Sequence, residues 1–250
     1  MNKKTIYTIG SLMILATLIL TACGGSSAKK IRIATDATYP PFETVDEKTK
    51  EMVGFDIDLI NAVAKKANLD IELVNVNFDP LLAGISQCQY DAAISAITIT
   101  EERQKSIGFT DGYINAGQIV TINKETTDIK TVDDLKGKTI GVQIATTGAI
   151  EAGKIEGATV KTYDTVDLAF MDLKNKQVDA VVADYPTSLA FVKVNSDKLV
   201  TTGDPFTQEV YGIAVCKTNT DLLNKLNTAL KAVKDAGTIK DLETKWLAGN

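Results

Sequence analysis

The constraint that bears hardest on this chain is an alternation of short strands and helices that runs once and then begins again. Ile31 to Thr35 alternates as a strand. A helix follows from about Asp56, with Ile60, Val63, Ala64 and Ala67 spaced to share one face. Ile71 to Val76 is the next strand. Asp79-Pro80 then opens a helix, with an acceptor at the cap and a proline where its missing N–H costs nothing. Ala92 to Ile97 reads as a buried strand. The pattern restarts at Thr131-Val132-Asp133-Asp134, a helix start that Gly137 stops. Thr139 to Gln143, Ala158 to Tyr163, Val178 to Ala183 and Lys198 to Thr202 supply further strands, with helices between, one of them from about Thr146. Glu209 to Cys216 reads as one strand, Asn219 caps a long helix through about Ala236, and a last short helix ends near Trp246. Such alternation predicts α/β layers with parallel sheets. A chain of 250 residues has room for two units of ordinary domain size. Ligands of open α/β sheets sit beyond the carboxyl ends of the strands, so two units face to face predict a cleft.

Ahead of this body, residues 1–22 carry two charges, Lys3 and Lys4, followed by an uncharged run from Thr5 to Ala22. A basic start, an apolar stretch and small residues at its end mark a secretory signal. The alternative, an uncleaved anchor helix, would equally leave the body exported and tethered. Residues 23–29 read as a short flexible leash. Histidine is absent, which excludes Ser-His-Asp and Cys-His nucleophile systems and every His-ligated zinc site. No metal or cofactor is expected. A net charge of −5 argues against nucleic acid, because no basic surplus exists to displace phosphate counterions. Besides Cys23 the chain has only Cys88 and Cys216, too few for a disulfide framework. They read as buried small apolar residues in preference to a bridge.

Of the 27 cationic residues only Arg32 and Arg103 are arginine. Guanidinium grips a carboxylate bidentately, which an ammonium cannot do. Arg32 alternates with Ile31 and Ile33 and is expected to point to solvent from the first strand. Arg103 follows Ser95-Ala96-Ile97-Thr98-Ile99-Thr100-Glu101-Glu102, directly after a buried strand. Hydroxyls and an arginine at a strand's carboxyl end suit a carboxylate-binding site. On spacing alone, a surface arginine paired with Glu101 or Glu102 fits equally well.

Several ordered motifs resemble those of the bacterial extracellular solute-binding proteins for polar amino acids, which serve ABC importers. They are Thr35-Asp36-Ala37-Thr38-Tyr39-Pro40-Pro41-Phe42-Glu43, Gly54-Phe55-Asp56-Ile57-Asp58-Leu59, Ala93 to Arg103, Phe109-Thr110-Asp111, Leu135 to Gln143 and Asp179 to Asp184. Leu20-Thr21-Ala22-Cys23 likewise resembles a lipobox, which implies lipidation of Cys23 and an anchor on the outer face of the cell membrane. The resemblance implies an α/β, two-lobed periplasmic-binding-protein fold of type II, each lobe a mostly parallel sheet flanked by helices, with a two-segment hinge. Residues 30–115 plus 210–250 would form lobe one, and residues 116–209 lobe two. It implies a non-enzymatic monomer that closes on a free L-amino acid and delivers it to a membrane permease. Arg103 takes the role of carboxylate clamp, helped by the backbone N–H groups of Thr98 and Thr147. Asp184 takes that of partner to the ligand ammonium, beside the Thr98 hydroxyl, the Ala96 carbonyl and Ser95. Tyr39 and Phe78 resemble aromatic walls, although core packing would also explain both rings.

Specificity falls to Asp36, Glu43, Gln143 and the two rings. The resemblance gives Asp36 little selective weight, since it is matched in both basic and glutamine-type members. Glutamine-type members tend to carry lysine in place of Gln143 and histidine in place of Ala183, and this chain has neither. Two carboxylates and two rings suit a cationic side chain, through charge pairing and cation–π contact. A basic amino acid is therefore expected, with glutamine or cystine as the alternative in the same role. A dehydratase on the same fold is the alternative of another class.

Overall fold

A computed structural model describes residues 30–248, so the expected signal segment, the lipidated Cys23 and the leash up to residue 29 lie outside the described residues. Two five-stranded sheets organise the chain. In the first the order is Ile71–Asn75, Ile31–Thr35, Ala92–Ala93, Ala214–Cys216, Ile107–Phe109. In the second it is Thr159–Tyr163, Thr139–Gln143, Ala180–Asp184, Gln118–Asn123, Leu199–Thr202. The first three strands of each sheet pair in parallel. Parallel neighbours need crossovers, and the helices Phe55–Ala67, Phe78–Ser86, Thr147–Ala152 and Val166–Lys174 supply them. The fourth strand of each sheet is antiparallel to both its neighbours, so the fifth runs with the first three.

These reversed strands explain how the lobes are joined. Gln118–Asn123 follows the short strand Ile114–Ala116, and Ala214–Cys216 follows Glu209–Tyr211. Those two short strands pair antiparallel, Glu209 opposite Ala116 and Tyr211 opposite Ile114. The chain therefore crosses between the lobes twice, side by side. A Cβ on Gly117 would stand 2.3 Å from the Thr207 carbonyl oxygen, so only glycine permits this approach of the crossing segments. The single strand expected from Glu209 to Cys216 is consequently two, interrupted at Gly212 and Ile213 where the chain passes from the crossing into the first sheet.

Two other expectations need correction. The strand expected over Ala92 to Ile97 ends at Ala93. Beyond it the Ala96 N–H donates to Asp56 Oδ2 (2.7 Å) instead of continuing the ladder, with Ala96 at φ 45°. The helix expected to be capped by Asp79 begins at Phe78. Its Phe78 N–H is taken by the distant Asp36 Oδ2 (3.1 Å), and Pro80 still lies in the first turn, where no N–H is needed. Asn219 does cap helix Thr220–Asp235, accepting from the Leu222 N–H, and that helix buries Leu222, Leu226, Ala229, Leu230 and Val233. Arg32 lies on the surface over the Tyr90 ring, donating to the Gln89 carbonyl.

Cys88 and Cys216 are not independent buried thiols. They form a disulfide, with Cα atoms 4.8 Å apart. Cys88 is exposed after helix Phe78–Ser86, and Cys216 ends the return strand of the first sheet. The 128-residue loop so closed contains the entire second sheet. A cross-link over so long a loop restricts the unfolded chain strongly. Replacing both cysteines by alanine is expected to cost about 2–5 kcal/mol, a fall in Tm on the order of 10 °C. Calorimetry of the variant against the oxidised wild type checks this, and an unchanged Tm would refute it.

Candidate functional site

The carboxyl ends of the parallel strands point toward one another across the gap between the sheets. Asp36 follows Ile31–Thr35, Ser95 and Thr98 follow Ala92–Ala93, Thr146 and Thr147 follow Thr139–Gln143, and Asp184 ends Ala180–Asp184. Together with Tyr39, Phe78, Arg103, Gln143 and Ala96 they line a nearly shut cavity of about 10 Å³. Every ligand-binding residue named from the sequence lines it except Glu43, and Thr146 joins them.

Arg103 sits in the short helix Glu101–Gln104, whose N-cap Thr100 accepts the Arg103 N–H. It makes no ion pair with Glu101 or Glu102, and Glu102 instead pairs with Lys105. Its Nη1 donates to the Thr98 carbonyl (2.8 Å) on the first lobe, and its Nη2 to the Ala145 carbonyl (2.9 Å) on the second. The guanidinium carbon lies 5.5 Å from the centre of the Phe78 ring. A guanidinium has five N–H donors, so three remain for a ligand. Burial lowers its pKa, while the negative charges of Asp184 and Glu209 oppose that fall.

Asp184 accepts from the Tyr39 hydroxyl (2.6 Å) across the cleft and from Gln118 Nε2 beside it. Its carboxyl is pushed up to about 6, first by burial and then by the charge of Glu209, against the hydrogen bonds it accepts. Asp36 accepts from Thr38 Oγ1 (2.8 Å), the Phe78 N–H and, across the cleft, Gln143 Nε2 (2.8 Å). Burial raises its pKa despite those three donors. Glu43 does not face the cavity. It is fully buried behind the floor, where Oε1 accepts from Ser95 Oγ (2.8 Å).

Two residues that reasoning from the sequence missed complete the site. Glu209, on the second crossing segment, accepts at Oε2 from the hydroxyls of Thr98 (2.7 Å) and Thr147 (2.8 Å), one from each lobe. Its Oε1 accepts from Thr207 Oγ1 (2.9 Å) and Gln118 Nε2 (3.1 Å). Gln118, the first residue of the return strand, lies opposite Asp184 in the ladder and so donates to both carboxylates. An acid heading an otherwise apolar strand was the available signal for Glu209. Gln118 had a similar one, as a polar residue before the apolar Ile119 and Val120.

This site is a cleft of buried carboxylates around one guanidinium, between two lobes, and its chain has close counterparts. The model of the bacterial extracellular solute-binding proteins, family 3, matches residues 31–249. The chain belongs to that family. It is 39% identical to the ABC transporter arginine-binding protein 1 of Escherichia coli, over 94% of this chain and 98% of that protein. It is 31% identical to the L-cystine-binding protein TcyJ of Escherichia coli, over 87% and 82%. It superposes on the arginine-, lysine-, histidine-binding protein ArtJ of Geobacillus stearothermophilus with a TM-score of 0.83 and 40% identity, covering 89% of this chain and 96% of that one. The family is one of solute-binding proteins, and these relatives and structural neighbours are binding proteins.

The raised pKa of Asp184 has a signed consequence for the unliganded protein. A carboxyl whose folded pKa lies above its unfolded value leaves stability whole below about pH 4 and erodes it as pH rises through about 6. From the ordinary value of 3.8 to about 6 the loss is up to roughly 3 kcal/mol. Asp184→Asn keeps the size of the side chain and removes the charge. It is expected to raise Tm at pH 8, to leave it unchanged at pH 4, and to flatten the slope between. A variant that melts below the wild type at pH 8 would contradict this.

Proposed function

We propose that this chain is the extracellular amino-acid-binding component of an ABC uptake transporter, and that its ligand is a basic L-amino acid, arginine first. The observation that carries the reading is the charge of the cleft. Asp36, Asp184 and Glu209 are buried around one guanidinium, that of Arg103. A zwitterion leaves that negative balance unchanged, whereas a ligand with a cationic side chain reduces it. Buried charge without a counter-charge is costly, so the cationic ligand gains most on closure. The arginine-binding relative and the arginine-, lysine-, histidine-binding structure support this choice. The cystine-binding relative keeps a neutral ligand as the outcome to test against.

In this reading the α-carboxylate lies between the free donors of Arg103 and the N–H groups of Thr98 and Thr147. The α-ammonium takes Asp184, the Thr98 hydroxyl and the Ala96 carbonyl, with Ser95 in the floor beside it. The side chain runs between Tyr39 and Phe78 toward Asp36 and Gln143. Residues 30–115 plus 210–250 and residues 116–209 move as the two lobes, because the complete set of contacts exists only when they meet. The protein binds and releases without turnover, works as a monomer anchored through lipid on Cys23, and hands its ligand to a membrane permease.

Thermal shift of refolded protein against a panel of amino acids tests the reading. At about 1,000 times its Kd a ligand adds ~4 kcal/mol, on the order of 8–16 °C for a chain of this size. A large shift with arginine or lysine and little with glutamine is expected, and a shift with glutamine or cystine alone would overturn the basic specificity. Asp36→Asn is expected to weaken arginine binding about tenfold or more, the loss of one charged hydrogen bond. Binding also requires ionised Asp184, so affinity for arginine is expected to fall as pH drops below about 6. Titration calorimetry between pH 5 and 8 checks that direction.

A further inference from the structure

Beneath the floor of the cleft lies a pair of acids that the binding reading does not use. Glu43 opens the strand Glu43–Val45, and Asp56 is the second residue of helix Phe55–Ala67. The Asp56 N–H donates to the Phe42 carbonyl (2.9 Å), which brings the two residues together. Gly54 makes that approach possible, since a Cβ there would stand 2.1 Å from the same carbonyl oxygen. Both acids are 0% exposed.

One oxygen of each is accounted for. Glu43 Oε1 accepts from Ser95 Oγ (2.8 Å), and Asp56 Oδ2 accepts from the Ala96 N–H (2.7 Å) and the Tyr113 hydroxyl (2.7 Å). The other two, Glu43 Oε2 and Asp56 Oδ1, are buried with no donor from the protein. The titratable groups facing the pair are themselves acidic: Asp36 from the loop after the first strand and Tyr113 from the crossing segment. Among the described residues no lysine or arginine forms an ion pair with either acid. Two adjacent ionised carboxylates cannot persist in such a place. A single proton between the two orphaned oxygens removes one charge and satisfies both atoms. Asp56 has two donors that stabilise its anion and Glu43 has one, so the proton belongs on Glu43.

We propose that Glu43 is protonated at neutral pH, donates from Oε2 to Asp56 Oδ1, and acts as a positioning residue that fixes Ser95 and Ala96 in the cleft floor. Burial, followed by repulsion from Asp56, holds the Glu43 carboxyl well above the usual range, whereas the hydrogen bonds from the Ala96 N–H and the Tyr113 hydroxyl oppose the rise that burial gives Asp56. The Ser95 hydroxyl also accepts from the Asp36 N–H (3.0 Å). The shared proton thereby joins the Asp36 loop, the floor and, through Tyr113, the crossing segment. Its effect on ligand affinity rests on the function proposed above, whereas its existence does not.

Infrared spectroscopy of the wild-type protein at pH 7, set against E43Q, tests the proton directly. The difference between the two spectra is expected to show a protonated-carboxyl carbonyl band that the wild type has and E43Q lacks. Should E43Q fail to fold, carboxyl-carbon NMR of wild-type protein labelled at glutamate detects the same proton, through one glutamate that keeps its protonated shift at pH 7. A wild type with no such band or resonance would overturn the proposal, whether or not any amino acid binds. The positioning role is read from affinity. E43Q mimics the protonated acid and is expected to bind arginine within about threefold of wild type, whereas E43A should weaken binding about tenfold or more. Equal loss in both variants, or no loss in E43A, would overturn that role. Failure of the wild type to bind any amino acid would instead refute the proposed function. Because a carboxyl with a raised folded pKa loses stability from its ordinary value upward until its folded pKa is passed, wild-type Tm should fall relative to E43Q as pH rises from about 4.5 through neutrality.

Discussion

Negative charge buried around a single guanidinium organises this molecule, because almost every other feature of the cleft serves to hold it there. Asp36, Asp184 and Glu209 are withdrawn from water, and among the described residues no lysine forms an ion pair with any of them. Their donors are uncharged: Tyr39 and Gln118 for Asp184, Gln143, Thr38 and a backbone N–H for Asp36, and threonines and Gln118 for Glu209. A neutral donor stabilises an anion without cancelling its charge. The field therefore survives for a ligand to meet, where an ion pair would have consumed it. The elevated pKa of Asp184 is the measure of what this arrangement costs the unliganded protein.

The crossing between the lobes gives that charge its mechanical setting. Tyr113 and Tyr211 belong to opposite crossing segments and pack with Phe42 and Phe55 of the first lobe. Phe42 and Tyr211 meet edge to face at 5.2 Å, and Phe55 stacks on Tyr113 at 6.2 Å. The Tyr113 hydroxyl is also fixed on Asp56. Just beyond Ala116, Gly117 lets the two crossing segments approach more closely than a Cβ would allow. Glu209 stands on the same ribbon and grips one threonine from each lobe. It thus stands as a hydrogen-bond acceptor between the two loops that present Thr98 and Thr147.

The elements of this fold were legible because their signals are local. Strand Thr139–Gln143 and the helix capped by Asn219 follow from periodicity and from a capping side chain alone. Arg103 could be found because it is an arginine in a lysine-rich chain. What local patterns could not show were partnerships across long separations. Asp36 caps a helix 42 residues away, which moved the start of that helix from the position Asp79 suggested. Cys88 and Cys216 are 128 residues apart and meet only because the return strand comes back to the first sheet. Glu43, expected in the cleft, is instead fully buried behind its floor, where it accepts from Ser95, 52 residues away. Glu209 escaped notice because its role depends on two threonines from different lobes, and no spacing in the sequence relates them.

The contacts that hold the lobes together are also the ones a ligand can replace. Gln143 with Asp36, Tyr39 with Asp184 and Arg103 with the Ala145 carbonyl are polar pairs spanning the gap. A hydrogen bond between protein groups gains little over the same groups bonded to water, so breaking these three on opening costs only a modest amount. A large apolar interface of the same area would lock the lobes shut, since its burial is lost outright on separation. Polar pairing therefore keeps opening reversible. On the proposed reading a zwitterionic ligand supplies charged partners in place of neutral ones, which adds the attraction of an opposite charge to bonds that already have one ionised partner. In the function proposed, the same Arg103 and Asp184 that hold the lobes weakly on their own would hold them firmly around a ligand, and that difference would drive closure.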